Sequence, residues 1–322
     1  MTEQLLDVKE LTVRYFTEAG AVEALDQVSF NVCESEIVGL VGESGCGKST
    51  VALSILRLIP WPGVITKGRI VFEGTDLLQM DMNKIRKEIR GNKVSMIFQE
   101  PSKALNPVFP AGDQITEAIL LHQNVDKNEA RERAIKVMEE VGLPNPSGLL
   151  NKYPFELSGG MQQRIMIAMA LSCNARFLMA DEPTSSLDVT IEAQILDLIR
   201  SLMTKKVISS MLLISHDLAM LSEICDRIVA MYAGTVAEIG DTETIFQAPA
   251  HPYTKGLMKV VPRPFVGKMT FGTIPGDIAP LVNPPKGCRF HPRCEFAMEI
   301  CAKREPVLRQ ISEKHFVACH LY

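Results

Sequence analysis

The chain has 322 residues, of which 46% are hydrophobic, and a formal net charge of −4. This length predicts about two domains, and this composition predicts a buried core. The negative net charge argues against a nucleic-acid partner, and the absence of any apolar run near 18 residues argues against a membrane span. The segment Met1–Asp7 lacks the basic and apolar regions of a secretion signal, so we expect no export.

The first thirty or so residues alternate between apolar and polar side chains, as half-buried strands do. Leu11–Tyr15 and Val28–Val32 follow this pattern, which predicts antiparallel strands over residues 5–32. Tyr15 and its neighbour Phe16 are each either a stacking surface for a planar ligand or a half-buried strand aromatic.

A glycine-rich loop follows, between a predicted strand and a predicted helix. The apolar segment Glu36–Val41 precedes the loop, and Val51–Leu58 follows it with apolar residues at helical spacing. The loop Gly42–Thr50 fits the pattern of glycine, four residues, glycine, lysine, and serine or threonine. In this pattern backbone N–H groups surround phosphate oxygens, Lys48 reaches the β- and γ-phosphates, and the Ser49 hydroxyl ligates Mg²⁺.

Further strands are predicted at residues 69–73 and 93–98. Gln99 directly follows the second of these strands. Its amide either reaches a metal or water at the strand's carboxyl end or is a solvated turn residue. Residues 101–157 are punctuated by Pro and Gly and predict a helical insertion with helices at Ile115–Gln123 and Lys127–Val141.

Ser158-Gly159-Gly160 stands before a long apolar helix that continues to Leu171. The three residues form either a second anion site at the positive end of this helix or an ordinary serine N-cap with a glycine turn.

Two later strands end in residues that carry chemistry. Phe177–Ala180 is followed by Asp181, which can hold Mg²⁺ at the strand end, and by Glu182, which can polarise an attacking water. Met211–Ser215 is followed by His216, which is either structural or a donor that holds the γ-phosphate and the attacking water. We also expect a helix from Val189 to about Met203 and a hairpin of Arg227–Tyr232 with Thr235–Ile239.

Four of the eight cysteines lie in the last 35 residues, at Cys288, Cys294, Cys301 and Cys319. Without an export signal this clustering favours a metal over disulfides. Four thiolates can close a tetrahedral zinc site or hold a [4Fe–4S] cluster, and four unliganded thiols are the remaining alternative.

The order of these motifs resembles the ATP-binding subunits of ABC transporters, through Gly42–Thr50, Gln99, Leu157–Gln163, Asp181-Glu182, Asp188 and His216. The resemblance covers roughly residues 5–250. It implies an α/β fold with a P-loop NTPase core, an antiparallel β subdomain and a helical insertion. A small Cys-rich module would follow this core.

The resemblance also implies roles for single residues. Lys48 and the loop bind ATP, and Glu182 is the general base with His216 as the switch histidine. Mg²⁺ is served by Ser49, Gln99 and Asp181. The implied nucleotide contacts are Tyr15, Gly42, Ser44, Gly45, Cys46, Gly47, Lys48, Ser49, Thr50, Ser158, Gly159, Gly160 and Asp188.

Tyr15 is the implied adenine-stacking residue, with Phe16 as the other candidate. Ser158, Gly159 and Gly160 resemble the family signature, which binds the nucleotide held by the partner subunit. Hydrolysis would then require a face-to-face dimer with a second ABC ATPase subunit, and the resemblance favours a paralogue.

The tail resembles the C-terminal region of dipeptide and oligopeptide importer ATPases, at His251–Thr254, Val261–Pro264, Ile274–Gly276 and Cys288–Cys294. The expected division is an ATPase domain at 1–250, with a helical subdomain at about 101–160, and an extension at 251–322. Six prolines between 262 and 285 predict an extended linker. In these importers such a tail carries an iron–sulfur cluster, so the resemblance favours [4Fe–4S], with zinc as the alternative.

The implied function is that of the nucleotide-binding subunit of a peptide importer. It would hydrolyse ATP, dock peripherally at the cytoplasmic face of the membrane on two transmembrane permease subunits, and serve an extracytoplasmic peptide-binding protein indirectly. The alternative is a soluble ABC-type ATPase that acts on nucleic acid or ribosomes. That alternative requires a long coiled-coil insertion, a tandem ATPase domain or basic patches, which the sequence lacks.

Overall fold

A computed structural model describes residues 3–173, 175–184, 189–260 and 274–322. The chain forms two compact units, the first made of Met1–Gln79 with Leu213–Tyr322 and the second of Met80–Leu212. The chain returns from the second unit to the first within the strand Ser210–Ser215.

The strands of the described residues are β1 (Gln4–Thr17), β2 (Gly20–Cys33), β3 (Ile37–Val41), β4 (Gly63–Phe72), β5 (Thr75–Asp76), β6 (Val94–Ile97), β7 (Phe177–Asp181), β8 (Ser210–Ser215), β9 (Arg227–Tyr232), β10 (Thr235–Asp241), β11 (Arg309–Ser312) and β12 (His315–Val317). The α-helices are α1 (Lys48–Ile55), α2 (Met82–Lys84), α3 (Pro101–Ala104), α4 (Ala111–His122), α5 (Lys127–Glu140), α6 (Pro146–Leu149), α7 (Gly159–Leu171), α8 (Val189–Thr204), α9 (Leu218–Ile224), α10 (Thr242–Gln247) and α11 (Pro252–Val260).

The first unit contains an antiparallel sheet with the strand order β2-β1-β4-β5. In its register Val8 lies opposite Phe30 on β2 and opposite Ile70 on β4. These three side chains are buried, because the alternating pattern places one apolar face of the sheet inside. The prediction of antiparallel strands over residues 5–32 is confirmed, although each strand is longer than the segments that suggested it.

A second sheet of the first unit positions the glycine-rich loop. Strand β3 pairs in parallel with β9, so that Leu40 lies opposite Val229, and β9 pairs with β10 in an antiparallel hairpin. Strands β12 and β11 extend the sheet beyond β10. The predicted hairpin turn at Ala233-Gly234 is confirmed, and both residues have positive φ (43° and 83°), as a tight hairpin turn requires.

The second unit pairs β6 in parallel with β7, with Val94 opposite Phe177. Its predicted helices are confirmed as α4 and α5, with α4 beginning four residues earlier than predicted, after Pro110. Helix α5 begins where predicted because Asp126 accepts hydrogen bonds from the N–H groups of Asn128 and Glu129.

The C-terminal part of the chain belongs to the first unit. Helix α11 was not predicted from the sequence. Of the predicted linker at 262–285, residues 262–273 lie outside the described part and residues 274–285 form no helix. The ring of Phe290 packs against Tyr232 and Tyr253, at centroid distances of 5.1 and 5.5 Å. The cysteine-containing segment therefore shares a core with β9 and α11, and a separate Cys-rich module is not confirmed.

Candidate functional site

The loop between β3 and α1 has the conformation that its glycines predict. Gly45 and Gly47 have φ of 80° and 103°, where side chains are disfavoured. A Cβ atom on Gly42 would lie 2.2 Å from the carbonyl oxygen of Met231, so this position accepts only glycine. The loop is therefore pressed against the end of β9 and turns directly into the first residue of α1.

Lys48 is buried at the start of α1, with 6% of its surface exposed. Its Nζ donates hydrogen bonds to the carbonyl oxygens of Gly42 (2.6 Å) and Glu43 (3.1 Å). Ser44, Gly45 and Ser49 are exposed on the loop. The amine is thus held inside the curve of the loop, while the hydroxyl predicted to ligate Mg²⁺ faces solvent.

Cys46 is fully buried inside this loop. Burial raises the pKa of its thiol, and the nearby Lys48 amine offsets part of that effect. With its side chain buried, Cys46 has only its backbone available on the open side of the loop. Of the cysteines outside the loop and the C-terminal group, Cys173 and Cys225 are also buried, whereas Cys33 is half-buried.

Two contacts on the loop were not found from the sequence. Arg293 pairs with the Glu43 carboxylate, and the N–H of Glu43 donates to the hydroxyl of Tyr253 at 2.9 Å. Burial raises the pKa of the Tyr253 phenol, with a further contribution from Cys46. Both partners come from the C-terminal part of the chain, so no local motif marks them.

The second unit brings three of the predicted residues to the carboxyl ends of its parallel strands. Asp181 is the last residue of β7 and is 5% exposed. Glu182 follows with φ of 47°, an unusual conformation for a non-glycine residue. Gln99, just past β6, donates from Nε2 to Glu182 Oε2 at 2.7 Å.

Ser158 is the N-cap of α7, and its hydroxyl accepts a hydrogen bond from the N–H of Met161 at 3.3 Å. Ser158 and Gly159 are exposed, and Gly160 is half-buried. The capping interpretation is therefore confirmed, and the exposed helix end leaves the anion-binding interpretation as a prediction.

The remaining predicted residues lie on other elements. His216 follows β8 and is exposed. Tyr15 is half-buried, with its ring against Gly63, whereas 54% of Phe16 is exposed. Asp188 lies outside the described residues.

The four C-terminal cysteines line one cavity of about 10 Å³. Burial raises the pKa of Cys288 to about 11, with smaller contributions from the three other thiols in the same direction and an opposing one from a backbone hydrogen bond at Phe290. Within the described ranges, however, no three Cys, His, Asp or Glu side chains are arranged to hold a metal ion. The structure thus gathers the four thiols without giving them the geometry of a metal site.

Comparison with known proteins identifies the family. Residues 25–185 match the ABC transporter family, and residues 237–301 match the C-terminal region of oligopeptide and dipeptide transporters. The chain belongs to the ABC transporter family. The part of the chain that matches this family includes the glycine-rich loop Gly42–Thr50. None of the helices described is both long and apolar enough to cross a membrane.

Relatives of this ABC ATPase match along nearly the whole chain. The dipeptide transport ATP-binding protein DppD of Escherichia coli (strain K12) is 43% identical over 98% of this chain and 96% of its own. The oligopeptide transport ATP-binding protein AppD of Bacillus subtilis (strain 168) is 45% identical over 99% of this chain and 97% of its own. Among solved structures, a dimeric post-hydrolysis state of the ATP-binding cassette MJ0796 bound to ADP and Pi has a TM-score of 0.66 and 27% identity. It covers 74% of this chain and 99% of its own.

Proposed function

We propose that this ABC ATPase is the nucleotide-binding subunit of an importer for dipeptides and oligopeptides. The observation that carries the proposal is the phosphate loop with its buried Lys48, in a chain whose tail matches the peptide-transporter region. Relatives over the full length are named as peptide transport ATP-binding proteins. The proposed division of the chain is an ATPase domain at 1–250 and an importer-specific extension at 251–322.

In the proposed site, the Gly42–Thr50 backbone and Lys48 bind the phosphates of ATP. Ser49 at the start of α1, Asp181 at the end of β7 and Gln99 serve Mg²⁺. Hydroxyl, carboxylate and amide oxygens suit this hard cation, so the donor set fits. Mg²⁺ held by these three residues would neutralise negative charge on the phosphates of ATP.

Glu182 is the proposed general base. A carboxylate at a strand end, held in a strained backbone conformation and by a hydrogen bond from Gln99, is placed to take a proton from water. We assign His216 to hold the γ-phosphate and the attacking water. Positioning and charge stabilisation provide most of the rate acceleration in phosphoryl transfer.

Hydrolysis in this proposal takes place at the interface of two ATPase subunits. Ser158, Gly159 and Gly160 at the exposed end of α7 contact the nucleotide held by the partner, and Asp188 completes this set. The dimeric state of the related MJ0796 cassette supports this arrangement. We propose a paralogue as the second subunit. Tyr15 stacks on adenine, and the exposed Phe16 is the alternative.

Docking on permease subunits is proposed for an apolar patch of the second unit. Val108, Phe109 and Phe155 are 69%, 53% and 72% exposed. Tyr153 stacks on Phe155, and the N–H of Ala111 bonds the carbonyl of Lys152, so the two segments adjoin. Exposed apolar patches mark protein interfaces. The chain then lies peripherally at the cytoplasmic face of the membrane, with the peptide-binding protein acting on the other side.

A metal at Cys288, Cys294, Cys301 and Cys319 is part of the proposal, with [4Fe–4S] preferred over zinc. Four thiols around one cavity are the donor set of both. A cavity of about 10 Å³ has room for about one water-sized sphere, so a cluster requires the side chains to move outward. Because the pKa values of Cys288, Cys294 and Cys319 are raised, these three thiols must release protons on binding a metal.

Metal analysis of anaerobically purified protein tests this part. We expect iron and sulfide, with visible absorption that disappears in a variant with all four cysteines changed to serine. Cys173→Ser, a buried cysteine elsewhere, is the control and should keep the metal. Stoichiometric zinc without iron would establish zinc as the bound metal. The absence of any metal from both wild type and Cys173→Ser would contradict the cluster and zinc alike.

The function itself is tested by expressing the chain with its neighbouring permease genes and measuring ATP hydrolysis and peptide uptake. Lys48→Ala should abolish both, whereas Lys9→Ala, at a lysine whose side chain is 63% exposed, should abolish neither. Phe109→Ser with Phe155→Ser should prevent co-purification with the membrane complex. Co-purification with ribosomes or nucleic acid instead would overturn the importer assignment.

A further inference from the structure

The phosphate loop contains one acidic side chain, Glu43, and that side chain is held by Arg293. Nη1 of Arg293 donates to Oε2 of Glu43 at 2.7 Å, and Nη2 donates to Oε1 at 3.1 Å. Such a two-bond fork fixes orientation as well as charge. The pair joins residues 250 positions apart and lies wholly within the first unit.

The remaining donors of Arg293 are used to hold its guanidinium in place. Nε donates to the carbonyl oxygen of Pro275 at 2.9 Å, and Nη2 donates to that of Ile274 at 3.1 Å. Nη1 also lies 3.4 Å from the Tyr232 hydroxyl, and the guanidinium stands 5.7 Å from the centre of that ring. With a side chain only 5% exposed, Arg293 is a rigid support rather than a mobile surface charge.

The same part of the chain also holds the loop backbone. The Tyr253 hydroxyl accepts from the N–H of Glu43, and the N–H of Gly234 donates to the carbonyl of Cys46 at 2.9 Å. The loop therefore has attachments to α11, to the β9–β10 turn and to the segment Cys288–Cys294. Of these attachments, the Arg293 fork is the one that also neutralises charge.

Resting on the proposed ATPase function, we propose that Arg293 is a positioning residue for nucleotide binding, which acts through Glu43. The fork holds the loop in its phosphate-binding conformation before the nucleotide arrives, and such preorganisation lowers the cost of binding. It also cancels a carboxylate charge inside a loop that must accept a polyanion. Without Arg293, the loop loses one of its attachments, and the unpaired carboxylate of Glu43 repels the triphosphate.

A double-mutant cycle on ATP affinity tests this coupling. Calorimetry with MgATP would compare the full-length wild type, Arg293→Met, Glu43→Gln and the double variant. We expect Arg293→Met to weaken binding about tenfold, a coupling of ordinary size between two sites. The double variant should bind better than Arg293→Met alone, because the repelling carboxylate has been removed.

Arg227→Met is the matched control. Arg227 forms a comparable partly buried ion pair with Glu36 in the same unit, at the opposite ends of β3 and β9 from the loop. Its loss should lower thermal stability and leave ATP affinity unchanged. Arg293→Lys, which keeps the charge and loses the fork, should fall between wild type and Arg293→Met, and it carries the test if Arg293→Met does not fold.

The inference is overturned if Arg293→Met and Arg293→Lys bind MgATP like wild type, if the losses from Arg293→Met and Glu43→Gln simply add, or if Arg227→Met weakens binding equally. Failure of the proposed function is distinguishable from these results. In that case wild type itself binds no MgATP, or Lys48→Ala binds it as well as wild type does.

Discussion

Gln99 donates a 2.7 Å hydrogen bond from Nε2 to Oε2 of Glu182. The two residues follow β6 and β7, neighbouring parallel strands, so their proximity is a direct consequence of sheet register. The resemblance to ABC transporter subunits implied two separate roles, binding of Mg²⁺ for Gln99 and general base for Glu182. The structure adds that Gln99 also holds the orientation of the carboxylate.

Glu182→Gln should preserve MgATP binding and lower ATP turnover by at least about 100-fold, because a positioned general base contributes that much or more. The amide is nearly the same shape as the carboxylate but accepts no proton. Single-turnover phosphate release and equilibrium ATP binding measure the two effects. Glu139→Gln, at an exposed position on α5, is the control. Full turnover in Glu182→Gln would remove the residue from the mechanism.

Gln99→Leu should reduce ATP turnover about tenfold, which corresponds to about 1.4 kcal/mol for a lost orienting hydrogen bond. The leucine fills similar space and donates no hydrogen bond, so Glu182 samples unproductive orientations. In a Glu182→Gln background the same substitution should have no further effect on turnover, since the base is already absent. If Gln99→Leu lowers ATP turnover by the same factor in that background, Gln99 acts through Mg²⁺ and not through Glu182.

The local part of this site was predictable from the sequence. The spacing of Gly42, Gly47 and Lys48 fixes the loop because the backbone must adopt positive φ and α1 must begin at the lysine. Asp181 and Glu182 were found because a short apolar run that ends in acidic residues marks the carboxyl end of a buried strand. Each of these sequence signals lies within a few residues of the side chain that it identifies.

The non-local part was not predictable. Arg293 and Glu43 are 250 positions apart, and an arginine between two cysteines carries no sign of its partner. Helix α11 was missed because it has only nine residues, and its Tyr253 packs against Tyr232 of β9, a contact that no local pattern indicates. Tertiary contacts of this kind override local propensity.

Cys46 should resist alkylation by iodoacetamide in the native protein near neutral pH. Its thiol is fully buried and its pKa is raised, so both access and the reactive thiolate fraction are low. Peptide mapping by mass spectrometry should show slower labelling of Cys46 than of half-buried Cys33, with the difference lost in urea. The rate should increase as the pH rises, and any labelled fraction should fail to bind ATP. Equal labelling of Cys46 and Cys33 in the native state would contradict this expectation.

Glu238→Ala should lower the free energy of unfolding by about 3–5 kcal/mol, because it breaks a buried charged network. Glu238 is fully buried and accepts from the N–H groups of Ala250 and His251, and its carboxylate pairs with His315 Nε2 at 2.7 Å. Urea unfolding measures the loss. Glu313→Ala, in the exposed turn before β12, should change stability by less than about 0.5 kcal/mol. A similar small change for Glu238→Ala would mean that this network contributes nothing to the attachment of β12.

Stability should also depend on His251, which is buried with 3% exposure between β10 and α11. Burial lowers the pKa of its imidazole from 6.5 to about 4, with an opposing contribution from a hydrogen bond to the Ala318 backbone and a smaller one from Lys255 in the same direction as burial. The neutral ring accepts from the N–H of Tyr253 at 3.0 Å through Nδ1, which a protonated ring could not do.

Because the folded pKa lies below the unfolded one, the unfolded chain binds more protons between pH 6.5 and about 4. The contribution of His251 to stability is therefore complete above pH 6.5 and is lost as the pH falls through this window, by about 3 kcal/mol in total. His251→Asn keeps an acceptor near the Nδ1 position and does not titrate there. Urea titrations at pH 7.5 and 4.5 give the difference in unfolding free energy between wild type and His251→Asn. This difference should shift by about 2.5 kcal/mol against wild type on acidification, because pH 4.5 lies above the folded pKa. A difference that stays constant across the window would show that His251 titrates alike in the folded and unfolded chains.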